Sequence, residues 1–452
     1  MKLVYDIADK PPIRKNLIYA FQQLLAIMAA TLLVPILVDG TGTYMSQPAA
    51  LCGAGFGTLF YLFIATKKKS PVFLGSSFAF LGSMAAAFAS APSDNAGFAG
   101  LLLGAIFAGL VYVVFALVIK SVGTDWVNDL MPPVVIGPTV AIIGLSLAGN
   151  AVGDLQTSSV SGQTTQWAVL CGLVALLATM LASTYGKKNV KLIPFIIGIL
   201  AGYIVAAILT FIGNATGNEA MMITDFSPIT GLVANGVSLK TFFAIPDFTF
   251  IKAAKGLGEI SGGYIATIAA AYIPVALVVF AEHIADHKNI STIIERDLLE
   301  DPGLNRTLLG DGVGSMVGAF FGGCPNTTYG ESVACVAITR NASVATIFVA
   351  AIECIFISFL SPFVAFISSI PSCVMGGVCM ALYGFIAVSG LKMIKKVDLE
   401  KNKNLFVVST ILISGIGGLS LTFGSITITT VACALILGII VNKILANDPD
   451  AR

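Results

Sequence analysis

Apolar stretches long enough to cross a bilayer alternate with short polar breaks along the whole chain. They fall at roughly 16–38, 46–66, 71–90, 97–119, 131–149, 165–184, 191–213, 262–285, 307–322, 325–339, 343–369, 373–391, 404–423 and 426–446. A helical crossing needs about 20 apolar residues, so the pattern predicts an all-α polytopic membrane protein of about fourteen segments. The longest polar stretch, about 214–261, carries Pro228, Pro246 and several glycines and separates seven segments from seven. With an odd number in each half, the second half enters the membrane with opposite orientation. Such a 7+7 inverted repeat places a substrate site at the midplane, where corresponding segments of the halves are broken.

Segments three and ten are the broken pair. One holds Leu74-Gly75-Ser76-Ser77-Phe78-Ala79-Phe80, the other Gly322-Gly323-Cys324-Pro325-Asn326-Thr327-Thr328-Tyr329-Gly330-Glu331. Gly75, Ser76 and Ser77 alone would also serve plain helix packing. A Pro, a charge and several polar groups in one short span would not. Irregular backbone at membrane depth is tolerated where it lines a cavity or is buried in protein. Each break aims free N–H groups and a half-helix N-terminus at the centre, where a small polar ligand with several acceptors can be held.

Basic residues orient the segments. With a cytoplasmic N-terminus and strict alternation, 22 of the 25 Lys and Arg fall on the inside, from Lys2 through Lys67–Lys69, Lys188, Arg306, Arg340 and Lys392 to Arg452. The remaining three, Lys240, Lys252 and Lys255, share the long connection, and the outside loop Asn150–Thr164 has none. This is the positive-inside bias; it puts both termini in the cytoplasm. The apolar run after Asn16 is full length and reads as a retained first span, not a signal peptide.

Composition narrows the class further. The chain of 452 residues is 56% hydrophobic and 11% charged, against about 25% charged in soluble proteins. A net charge of +1 gives no case for nucleic-acid binding. The eight cysteines form no CxxC pair, so neither a metal site nor a disulfide framework is expected. The aqueous loops offer no nucleophile–base set; no enzyme activity and no cofactor are expected.

The intramembrane charges carry the chemistry. A carboxylate at the bilayer centre costs roughly 2.5–3.5 kcal/mol on insertion scales and marks a functional site by default. Glu282 closes the aliphatic run Pro274–Phe280, and Glu331 follows the break in segment ten. A carboxylate beside a backbone amide matches a heterocycle with adjacent N–H and C=O groups. Desolvation favours the neutral acid, so proton binding can be linked to substrate binding. Asp286 lies one helical turn beyond Glu282, on its face, or else opens the following loop. His287, ahead of Lys288 and Asn289, reads as the start of a cytoplasmic loop. Glu353 is a further acid in an aliphatic span, with no role assigned. Asp311, between Gly310 and Gly312, reads as a packing or capping residue.

Gly75–Phe80, Ala281-Glu-His283, Pro325–Glu331, Ala337-Ile-Thr-Arg340 and Val374-Met-Gly-Gly377 together resemble the nucleobase–cation symporter-2, or nucleobase–ascorbate transporter, family, and most closely its bacterial uracil permeases. The resemblance runs from Pro11-Pro12 to the last span, and the Asn-Thr-Thr-Tyr-Gly-Glu form looks like the uracil branch. It implies import of uracil across the bacterial cytoplasmic membrane by proton symport with alternating access. Segments 1–4 (residues 1–120) and 8–11 (262–369) would form a core domain. Segments 5–7 (121–213) and 12–14 (370–452) would form a gate domain, with 214–261 connecting the halves. Segments three and ten would contain short antiparallel strands, and the protein would be a homodimer. Matched motif by motif, Glu282 and Glu331 take the uracil-binding carboxylates. Phe78 and Gly330 supply backbone amides, while Ser77, Tyr329 and Tyr383 line the site; Glu282 and Asp286 handle the proton. Two positions depart from the uracil branch, which commonly has His where this chain has Gln23 and Asp286. An acidic pair at Glu282 and Asp286 would also attract Na⁺, so Na⁺ coupling stays open, as does another nucleobase such as xanthine. From another class, a channel or an anion transporter of the same architecture is the rival.

Overall fold

In the computed structural model, which describes residues 3–39, 45–123, 125–187, 190–191, 193–234, 236–423 and 426–447, a helix stands at each predicted segment. In chain order these are α1 (Ile13–Asp39), α2 (Gln47–Phe60), α3 (Leu81–Ala89), α4 (Asp94–Val122), α5 (Pro133–Ser146), α6 (Gln166–Tyr185) and α7 (Pro194–Thr216). The second half gives α8 (Gly262–Ile294), α9 (Leu304–Gly322), α10 (Gly330–Thr339), α11 (Val344–Ser358), α12 (Ser372–Ile394), α13 (Asn402–Ile416) and α14 (Thr430–Ile444). Among the described residues, eight helices are long and apolar enough to cross a membrane, and shorter apolar helices accompany them. Lys2, Lys188 and Arg452 of the charge pattern lie outside the described residues.

Lipid-facing stripes are visible on single helices. Leu110, Val114 and Leu117 of α4, and Leu200, Ile204, Ile208 and Phe211 of α7, stand exposed on one side at helical spacing. The opposite sides are buried and rich in small residues. In lipid, helices associate through close packing rather than the hydrophobic effect, and glycine permits the closest approach. The space a Cβ of Gly53 in α2 would fill holds the Gly318 carbonyl of α9, and that of Gly377 in α12 holds the Gly172 carbonyl of α6. Helix α9 packs on α2 and α4, α11 on α1 and α2, and α8 on α4. Separately, α12 packs on α5 and α6, α6 on α7, and α13 on α14 and α5.

The broken segments contain strands. β1 (Leu74–Ser76) pairs antiparallel with β2 (Asn326–Thr328), Gly75 opposite Thr327. The ladder runs one bond further at each end, Tyr329 N–H to the Phe73 carbonyl at 3.2 Å and Ser77 N–H to the Pro325 carbonyl at 2.9 Å. Backbone that would be orphaned inside a membrane is satisfied by its counterpart from the other half.

Three boundaries depart from the apolar pattern. Segment eleven is two helices, α11 and Ser361–Ser368, broken at Phe359-Leu360 ahead of Pro362; proline has no N–H to offer the Ser358 carbonyl, so one helix does not run on through it. Segment thirteen ends at Ile416, and a small hairpin, β3 (Leu421–Phe423) with β4 (Ile426–Ile428), precedes α14. Helix α8 continues to Ile294, well past the apolar run. Helix geometry does not require an apolar environment, so α8 projects onward as an amphipathic rod, with Lys288, Asn289 and Thr292 exposed and Ile290 and Ile294 buried.

Candidate functional site

Each strand turns directly into a helix. After β1 a 3-10 turn, Phe78–Phe80, leads into α3; after β2 the chain enters α10 at Gly330. The residues at the two entrances, Ser77 and Tyr329, are extended, and neither side chain caps the helix it precedes. First-turn N–H groups normally find a side-chain acceptor. Here neither Ser77 nor Tyr329 supplies one, and the two N-termini, with their partial positive charge, stand at opposite ends of the β1–β2 ladder, Ser77 against Pro325 and Tyr329 against Phe73.

The acids gather at these termini. Glu331 stands in the first turn of α10. A Cβ on Gly330, the residue before it, would lie 3.8 Å from Asp286 Oδ1 on α8. Glu282, one turn earlier on α8, interacts electrostatically with Asp286, Glu331 and Asp311. Glu282 and Glu331 are half-buried and Gly330 is exposed, and no hydrogen bond from another described residue reaches either glutamate's carboxylate. They are presented, not consumed by structure. Asp286 is buried and accepts from Thr328 Oγ1 at 2.9 Å, which ties α8 to the end of β2.

The remaining predicted residues fall around this group. Ser77 is buried, and its hydroxyl has no hydrogen-bond partner among the described residues. Phe78 meets Tyr383 of α12 edge to face, with ring centroids 5.9 Å apart; this contact brings α12 to the mouth of α3. Tyr329 takes a supporting place instead. Its ring lies over Gly75, and its hydroxyl donates to the Ser76 carbonyl at 2.6 Å, so it props β1 from beneath.

Several partners escaped sequence reading. Ser332 Oγ accepts from the Phe73 N–H at 3.0 Å and from the Gln23 side-chain amide of α1. Gln23 is therefore a buried strut between α1 and α10. His287 is not in a loop. It is fully buried on α8, with Nδ1 donating to the His283 carbonyl at 2.9 Å and Nε2 2.7 Å from the Tyr61 hydroxyl, itself 2.7 Å from Ser70 Oγ. Since Nδ1 must carry the proton for its bond, Nε2 is left as an acceptor, with the Tyr61 and Ser70 hydroxyls both in reach of it. Tyr61→Phe is expected to lower stability by ~1–2 kcal/mol, because it removes the hydroxyl that links buried His287 to Ser70; thermal unfolding in detergent would measure it.

A cavity of about 810 Å³ lies elsewhere, among Ser46, Thr157, Ser159, Asp225, Asp247 and Ser372. It does not include Glu282, Asp286 or Glu331. Glu353 on α11 is half-buried, with Oε2 unpartnered among the described residues.

A fold of paired half-helices facing buried acids is what membrane carriers of small solutes use, and the comparisons with known proteins agree. Residues 14–424 match the model described as Permease family. The chain belongs to this permease family. It is a multi-pass membrane transporter and not an enzyme. The uracil permease of Bacillus caldolyticus is 38% identical over 456 residues, covering 100% of this chain and 96% of that protein. The uracil permease of Escherichia coli K12 is 36% identical over 436 residues, covering 96% and 92%. The putative pyrimidine permease RutG of the same organism is 30% identical over 442 residues, covering 97% and 91%. Among solved structures, the transmembrane domain of a cyanobacterium bicarbonate transporter, BicA, aligns with a TM-score of 0.58 at 15% identity, covering 96% of this chain and 98% of that one. SLC26A9 aligns at 0.66 and 11%, covering 96% and 65%. At such identities these structures speak for the fold alone.

Proposed function

We propose that this permease imports uracil across the bacterial cytoplasmic membrane by proton symport, with Glu282 and Glu331 as the binding carboxylates. The observation that carries the reading is the gathering of Glu282, Asp286 and Glu331 at the strand-to-helix entrance of α10, beside Gly330. Uracil presents alternating N–H and C=O groups along one edge. A carboxylate accepts from the N–H, and amides at Phe78 and Gly330 donate to the carbonyls. Ser77 offers an additional hydroxyl, and the Phe78–Tyr383 pair an aromatic wall. The relatives named uracil permeases, alike over nearly their full length, support uracil over a larger base.

Coupling follows from crowding. Three acids within electrostatic reach of one another cannot all ionise cheaply in a desolvated site, so a proton on Glu282 or Asp286 accompanies the substrate. Alternating access would move a core of segments 1–4 and 8–11 against a gate of segments 5–7 and 12–14. The glycine-mediated contacts support this division, since they join helices within each group. Inverted topology of the halves and cytoplasmic termini are read from the segment count and the basic residues, and dimer assembly from the family resemblance.

The test is uracil uptake by purified protein in liposomes, with proton and sodium gradients imposed separately. Accumulation is expected with an inward proton gradient and should fall as external pH rises, because the coupling carboxyl then reaches the site empty. Accumulation on a sodium gradient alone would replace the proton by Na⁺, which the Glu282–Asp286 pair would also attract. Xanthine outcompeting uracil would overturn the substrate. Flux indifferent to both gradients and to Glu331→Gln would indicate a channel.

A further inference from the structure

Asp311 of α9 is completely buried, yet its environment is neither apolar filler nor the substrate carboxylates' open face. Its Oδ2 accepts from His283 Nδ1 at 2.8 Å and from Thr327 Oγ1 at 3.5 Å, while Oδ1 has no partner among the described residues. His283 is also completely buried, and its Nε2 lies 3.0 Å from Thr307 Oγ1. These contacts have a geometric consequence. His283 directly follows Glu282 on α8, and Thr327 sits mid-strand in β2, four residues before Glu331. One carboxylate thus holds the neighbour of the first glutamate and the strand that leads to the second.

We propose that Asp311 and His283 form a positioning couple for the substrate site, setting the rotation of α8 at Glu282 against the β2–α10 entrance at Glu331. Among the described residues, the other titratable groups around the couple are Glu282, Asp286 and His287 on α8, Tyr112 on α4, and Tyr61 just beyond the end of α2. Buried ion pairs add little stability compared with apolar residues of the same volume, and position is what they can supply. The inference takes uracil as ligand from the proposed function, but the couple itself stands on the contacts of Asp311.

The experiment compares His283→Ala, His283→Asn, Asp311→Asn, Thr327→Val and the double variant His283→Ala/Asp311→Asn in purified protein. Two quantities are read across pH 5 to 9: equilibrium binding of radiolabelled uracil, and carbodiimide labelling of Glu282 mapped by mass spectrometry, which needs no substrate. His283→Ala, which removes the hydrogen bond, and Asp311→Asn, which keeps an acceptor but removes the charge, should each weaken binding by roughly tenfold or more. Each should also displace the pH profile of Glu282 labelling. The double variant should be no worse than the worse single one, as for groups that act as one unit. His283→Asn, whose amide can still donate to Asp311, should recover most of the loss, and Thr327→Val should shift both readouts weakly in the same direction. Additive losses with an unmoved labelling profile would overturn the couple, as would His283→Asn behaving like His283→Ala. Should His283→Ala fail to fold, His283→Asn and Thr327→Val decide: wild-type behaviour of the first and a shift in the second support the couple, and no shift in Thr327→Val removes the link to β2. Wild-type protein that binds no uracil would defeat the nucleobase reading, and the labelling profiles would still decide the couple.

Discussion

Glu331→Gln is expected to abolish useful uracil binding, with a loss of roughly 10- to 100-fold in affinity. The carboxylate sits in the first turn of α10, beside the Gly330 amide, where a charge-assisted hydrogen bond to a ligand N–H contributes about 1.5–3 kcal/mol. Glutamine keeps the shape but presents a donor where the ligand also donates. Glu282→Gln should behave differently. Its partner carboxylates Asp286 and Glu331 remain, so binding should weaken less while accumulation against a proton gradient disappears. Equilibrium binding and gradient-driven uptake, measured on the same two preparations, separate these effects. Equal damage to both quantities in both variants would remove the distinction between a binding and a coupling glutamate.

The second large effect is expected at Gly75. A side chain here has nowhere to go: its Cβ would collide with the ring of Tyr329 and lie 2.9 Å from Thr31 Oγ1. Gly75→Val must displace that ring, and with it the Tyr329 hydroxyl bond to the Ser76 carbonyl. Overpacking costs ~1–3 kcal/mol and the lost hydrogen bond about 1 more. The site suffers beyond stability, because β1 carries Ser77 and Phe78 into it. A lowered unfolding temperature together with at least tenfold weaker uracil binding is expected. Gly82→Ala is the control, since its Cβ would meet only Thr429 at 3.9 Å and should be neutral. Wild-type binding by Gly75→Val would show that β1 does not set the site.

The parts of this architecture that announce themselves in the sequence are those with a steep local cost. Glu282 and Glu331 are legible because a charge in an apolar run has no cheap structural explanation, and the breaks at Gly75 and Pro325 because a span should not contain them. The antiparallel pairing of β1 with β2 was implied by the family resemblance and by nothing local to either segment. What stayed hidden depends on contacts between distant segments. Nothing near Thr328 says that its hydroxyl meets Asp286, and nothing near Gln23 says that it reaches Ser332. His287 was misread because the apolar run ends before the helix does. Beyond that point, α8 is shielded by Tyr61 and Ser70, which lie far away in sequence. The break in segment eleven did leave a signal, Ser361-Pro362, but unbroken hydropathy on both sides concealed it.

The pairing of β1 with β2 also constrains how the chain can be made. β1 leaves the ribosome long before β2 exists, since most of the chain lies between them. At typical synthesis rates the interval is on the order of 10–50 s. Throughout it, the strand's N–H and C=O groups have no ladder to join, at a cost of several kcal/mol for each group left bare in lipid. Until the second half is made, the third segment therefore lacks the backbone partners it has in the folded protein.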